Sequence, residues 1–268
     1  MSSITHGSFK GEPALVLQNE SLTAVILPEW GAKTVSLVHR PSGIETLWQN
    51  PSPTFARTGY GDSYGNGEFA GFDEMFPTIS RGYYESAPWA GTEVPDHGEV
   101  WSIPWESAEG FDHVTFSVNG VRFPYRLQKT VSLQEDRLVA RYAAENLADH
   151  PLDFIWAAHP LFNAAQGMKF IVPRGMRRII NAVPGPVLGG YGGKFDFPGK
   201  NRLDLVPPRN DTGYQKYWFE QKVSEGWCIL HDPDRRLSIG MSFPPGQVPW
   251  LGMWLNEGGL AGQYNVAP

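Results

Sequence analysis

Seven histidines are spread along the chain, and two of them stand in settings suited to proton transfer. His159 closes the apolar run of "DFIWAAHPLFNA" and is followed at once by a proline. His97 lies in "VPDHGEVW", with a carboxylate before it and aromatics after it. An imidazole titrates near pH 6.5 when unperturbed, so it can give and take protons at neutral pH. His6, His39, His113, His150 and His231 sit beside Gly, Arg, Asp or Pro in turn-like contexts and read as solvated. Three carboxylates could join the chemistry: Asp73 and Glu74 in "FAGFDEMFPTIS", and Glu257 in "WLNEGG". On the residues alone, two readings of His159 stay open, a buried structural histidine and a catalytic one. Asp73 and Glu74 read equally as a surface turn, and Glu257 as a turn carboxylate before two glycines.

Several other chemistries lack their parts. "GNGEFA" matches a dinucleotide-loop spacing, but no apolar strand leads into it and no helix follows. "GGYGGKF" has Phe195 where a phosphate loop needs Ser or Thr. His97-Gly98-Glu99 imitates the H-x-E of zinc deaminases, yet a chain with one cysteine cannot supply their C-x-x-C. There is no H-E-x-x-H helix motif for zinc and no G-x-S-x-G nucleophile elbow. None of these motifs points to a metal or an organic cofactor.

Something must position the two imidazoles, and the pattern says strands. Glycine (30) and proline (23) make up about a fifth of the 268 residues, against an average near 12%. Short β-rich segments alternate with turn signals, and no window of 12 residues shows a helical period. Asn119-Gly120 in "VTFSVNGVRF" predicts a type I′ hairpin. Tyr125, Leu127, Val131 and Leu133 alternate with Arg126, Gln128, Thr130 and Ser132, as in a strand with one buried face, and Asp136 falls in the turn beyond. The run up to His159 predicts a strand with Asp153, Ile155, Ala157 and His159 on one face, ended by Pro160. Residues 51–105 and 182–214 resist strand assignment, and loops beyond about 15 residues are usually functional. The expectation is one all-β domain over residues 1–268, two packed sheets with long loops over one face.

Composition narrows the partners. Charged residues are 19%, hydrophobic ones 41%, and the net charge is −6 with no basic run, which disfavours nucleic acid and anionic membranes. No apolar run nears the roughly 20 residues of a membrane span, and the N-terminus has no signal-peptide pattern. Cys228 in "GWCIL" has no partner for an internal disulfide and reads as a small buried hydrophobe. A cytoplasmic location is the default expectation.

Taken in order, "FAGFDEMFPTIS", "PDHGEVW", "WAAHPLFN", "KFDF" and "WLGMWLNEGG" resemble the aldose 1-epimerase (galactose mutarotase-like) family, as does the opening "LTAVILPEWGAKTVSLVHRPSGIETLW". The resemblance spans nearly the whole chain. It implies a large β-sandwich, the mutarotase supersandwich, and an isomerase that opens and recloses an aldopyranose at C1. It implies His159 as general acid, His97 as its helper near the ring oxygen, and Asp73 and Glu74 as sugar contacts. Arg81, Lys216 and Trp254 are further candidates for substrate binding. The family's general base is a glutamate in a Glu-Pro segment beyond the last motif. That segment is absent from the sequence as it ends at "GQYNVAP", so Glu257 is the candidate here. The expected partner is a small-molecule sugar. Two other functions fit the same residues: a catalytically weak sugar-binding or sensor protein, and a glycoside hydrolase using two carboxylates.

Overall fold

A computed structural model describes residues 2–268 of the chain. The all-β expectation holds: 22 strands pair antiparallel, and the described helix is one 3₁₀ turn, Tyr64–Asn66. The chain divides into two compact units, the first ending at Pro160 and the second running from Leu161 to Pro268.

The first unit is built on two main sheets. One runs in the order Ser3–Phe9, Glu12–Gln18, Leu22–Leu27, Lys33–His39, Phe72–Met75 and Ala157–Pro160, with Ile44–Glu45 paired beside Lys33–His39. The other is the meander Arg137–Asn146, Tyr125–Gln134, His113–Asn119 and Glu106–Glu109. Alternation fills the space between them. Leu15, Leu17, Leu22, Ala24 and Ile26 from the first sheet join one buried cluster with Val114, Phe116, Leu127, Val131 and Leu133 from the second. Burying each such side chain is worth about 1.5–3 kcal/mol.

The second unit has a six-stranded sheet, in the order Phe162–Asn163, Tyr264–Ala267, Gly252–Glu257, Tyr214–Phe219, Arg178–Asn181 and Lys194–Asp196. A three-stranded sheet joins Lys169–Ile171, Trp227–Asp232 and Leu237–Ser242. Cys228 is buried on the middle strand of the latter.

Three local expectations are corrected. Strands His113–Asn119 and Tyr125–Gln134 are joined by five residues, 120–124, not by a two-residue turn. The reason is a carboxylate: Glu99 accepts hydrogen bonds from the Val121 and Arg122 amides at 3.1 and 2.9 Å, pulling the loop open. The strand before His159 covers only Ala157–Pro160, with residues 151–156 irregular. Pro160 does not stop the ladder, since it is itself opposite Phe72 on an edge strand, where its missing N–H costs nothing. Finally, residues 51–105 are not structureless, for they hold Phe72–Met75 and the small ribbon Gly82–Tyr83/Glu93–Val94.

Candidate functional site

In the first unit the register decides which side chains meet. Ala157 to Pro160 pair with Met75 to Phe72, so His159 lies directly opposite Asp73 and Ala158 opposite Glu74. Directly opposed residues share a face of the sheet, and neighbours along a strand take opposite faces. His159 and Asp73 therefore share one face, and Glu74 takes the other.

His97 arrives on a loop laid against the end of the same strand. Glu99 donates its amide to the Phe76 carbonyl at 2.7 Å, and Gly98 pairs with Phe76 in a parallel bridge. A Cβ on Gly98 would lie 2.1 Å from that carbonyl oxygen, and its φ of +79° is left-handed, so glycine is required. His97 itself has φ +61°, an uncommon backbone for a side chain-bearing residue, costing about 1–3 kcal/mol. Its ring is held too: Nδ1 donates to Asp96 Oδ1 at 3.0 Å. With Nδ1 carrying the proton, Nε2 is the basic nitrogen of the neutral ring.

Between the two imidazoles lies Tyr64. Its ring stacks on His97 with centroids 4.1 Å apart and planes 9° apart, and meets His159 edge-on at 5.2 Å. The imidazole centroids are 5.3 Å from each other. The phenol is buried, while the His97 side chain keeps 17% of its exposure and His159 is half-buried. Tyr64 donates its hydroxyl to Asp73 Oδ2 at 2.5 Å, and Lys33 Nζ lies 3.2 Å from Asp73 Oδ1. Burial, and then the Asp73 charge, hold the phenol well above its ordinary titration range, so it stays a donor. The Tyr64 amide donates to Asp96 Oδ2 at 3.2 Å, and Trp101 Nε1 donates to the Asp96 carbonyl at 3.0 Å. One carboxylate thus steadies both the His97 ring and the Tyr64 backbone.

Glu74 is placed differently from its expected role as a sugar contact. It is fully buried on the core face, with both oxygens 3.0 Å from Lys129 Nζ and one 2.7 Å from the Tyr142 hydroxyl. That geometry leaves it no ligand to touch. Asp73 and Glu74 point to opposite faces, so they do not form the carboxylate pair of a glycoside hydrolase. Arg81 is an exposed residue paired with Glu93 at 3.0 Å. Glu99, the third residue of the zinc-like H-x-E, is also fully used. It accepts from Tyr60 and Tyr125 hydroxyls at 2.7 and 3.0 Å besides the two loop amides. Among the described residues no group of three or more His, Cys, Asp or Glu is arranged to hold a metal ion. No described helix is long and apolar enough to cross a membrane.

The remaining candidates belong to the second unit. Lys216 and Trp254 are cross-strand partners on its six-stranded sheet, both half-buried, and Trp254 Nε1 donates to Asn265 at 3.2 Å. Glu257 is buried, accepts from Gln215 Nε2 at 2.8 Å and from the Asn210 amide, and lines a concavity of about 390 Å³ with Arg202 and Gln215.

No protein-family model matches the chain, and no curated protein matches it. Solved structures do. A galactose mutarotase-like protein from Lactobacillus casei ATCC 334 is 18% identical, covering 95% of this chain and 86% of that one, with a TM-score of 0.66. A galactose mutarotase-like protein from Clostridium acetobutylicum is 12% identical over 99% of this chain and 86% of its own, at 0.71. The chain has the galactose mutarotase-like fold. The Slr1438 protein of Synechocystis sp. PCC 6803 shares it as well, at 18% identity, 97% and 86% coverage and a TM-score of 0.73.

Sequence reasoning missed the groups that support the two carboxylates and the imidazoles. Lys129 left a signal, a charged residue at a buried position of the Tyr125–Gln134 alternation. Asp96 left one too, as the carboxylate beside His97. Tyr64, in "SYGNGEF", left none, because nothing local says that a glycine-rich turn will bury its aromatic.

Proposed function

We propose that this protein is an aldose 1-epimerase-like isomerase, interconverting the α and β anomers of a free aldose. The observation that carries the reading is the pair of imidazoles on one buried tyrosine, His97 anchored by Asp96 and His159 opposite Asp73. Ring opening moves two protons. The anomeric hydroxyl gives one up as its electrons form the C1 carbonyl, and the ring oxygen takes one as the C1–O bond pair passes to it. Rotation about the C1–C2 bond and reclosure then yield the other anomer. An imidazole suits both transfers at neutral pH, each such group being worth about 10²–10⁴ in rate. His159 is the general acid toward the ring oxygen, with His97 orienting beside it, while Asp73, buried and bonded by Tyr64, supports the pair from beneath. The names of the similar structures agree with sugar chemistry, and the reaction requires no cofactor.

The test is α/β exchange measured by NMR on glucose, galactose and their 6-phosphates, against the spontaneous rate. Exchange above background on one of them is expected. Saturable binding of a sugar without exchange would replace the isomerase with a sugar-binding protein. His97→Gln then tests the orienting role, and Glu257→Gln the expected base, each by its loss of exchange.

A further inference from the structure

We infer that Tyr64 is the positioning residue of the imidazole pair, setting the orientation of His97 and His159 through its ring; this rests on the isomerase reading for its meaning, though not for its test.

Four contacts make the phenol a fixed platform. Its hydroxyl is tied to Asp73, which is tied to Lys33, whose Nζ also donates to the Glu68 carbonyl at 2.6 Å. Its amide is tied to Asp96, and its ring is met edge-on by Phe69 and Trp101, each at 5.1 Å. The 3₁₀ turn Tyr64–Asn66 carries it, closed by Asn66 and Gly67 amides on the Ser63 and Tyr64 carbonyls. None of these groups needs to touch a sugar for Tyr64 to act.

The two contacts differ in kind. His97 lies parallel on the phenol ring and His159 meets it at a steep angle, so one fixed tyrosine holds two neighbouring imidazoles in different orientations.

The test reads the imidazoles directly, in full-length protein labelled at histidine, with His97→Gln and His159→Gln to assign the signals. In the wild type the His97 ring protons should be displaced upfield by the Tyr64 ring current. Tyr64→Leu should abolish that displacement. Tyr64→Phe should keep the displacement and retain most of the exchange activity that Tyr64→Leu loses. His97 protons without upfield displacement in the wild type, or a displacement unchanged in Tyr64→Leu, would overturn the proposal. Should Tyr64→Leu not fold, the wild-type displacement and its retention in Tyr64→Phe decide the matter. These spectra need no sugar, so a protein that shows them without exchanging anomers would retire the isomerase reading and leave this one standing.

Discussion

Asp73 and Glu74 are adjacent in sequence, and each sits at the centre of the same kind of assembly. Asp73 is paired with Lys33 and bonded by the Tyr64 hydroxyl; Glu74 is paired with Lys129 and bonded by the Tyr142 hydroxyl. Both lysines also donate to a backbone carbonyl at 2.6 Å, Lys33 to Glu68 and Lys129 to Ala32. All four charged groups are nearly fully buried. In both, burial and then the carboxylate charge hold the tyrosine well above its ordinary range. The difference lies in what rests on the tyrosine. Tyr142 carries Trp156, with centroids 4.8 Å apart, and its Lys129 is ringed by Phe72, Trp105 and Phe116. Tyr64 carries two half-buried histidines. The same triad serves as a core clamp on one face of the strand and as the footing of a candidate acid–base pair on the other. Triad composition does not distinguish the two faces, whereas the side chains each triad supports do.

The equivalence of the two triads is testable by substitution. The largest effects should be on stability, and equal on both faces. Glu74→Ala and Asp73→Ala each leave a buried lysine unpaired, so each should cost about 3–5 kcal/mol in denaturant unfolding. A marked inequality would mean the two clamps are not equivalent. Next, the Glu74→Leu/Lys129→Met double variant should recover most of the loss of either single change, because an apolar pair of similar volume replaces the ion pair. Gly98→Ala should cost about 3 kcal/mol or more and move the His97 signals, since the new Cβ meets the Phe76 carbonyl. It should leave the core clamp unaffected, as judged by unchanged Trp156 and Tyr142 signals. The smallest effect concerns Cys228, whose thiol is pushed up to about 12 by burial in the second unit. It should resist alkylation at pH 8 in the folded protein and react once urea unfolds the chain.

How much of this was readable beforehand follows from the range of each interaction. Strand content was legible because period-2 alternation and turn residues are local, as in the segment Tyr125–Gln134. The Asn119-Gly120 turn misled because its loop is set by Glu99, more than twenty residues away in sequence. His159 and Ala157 were correctly placed on one face by alternation alone, and the pairing with Phe72–Met75 preserves it. The opposite fates of Asp73 and Glu74 were available in principle from the same alternation, yet which face held the imidazole depended on register. Tyr64 was invisible, for its burial comes from groups brought together by the fold, including Asp73, Trp101 and both histidines.

On the proposed function, the supported imidazoles perform chemistry which the core clamp cannot. The direct test is anomer exchange by NMR for wild type, His159→Ala and Tyr142→Phe side by side, on whichever sugar the wild type accepts. The prediction is a loss of about 10²–10⁴-fold in His159→Ala, toward the spontaneous rate, with Tyr142→Phe close to wild type once its folded fraction is matched. Undiminished exchange in His159→Ala would contradict the claim.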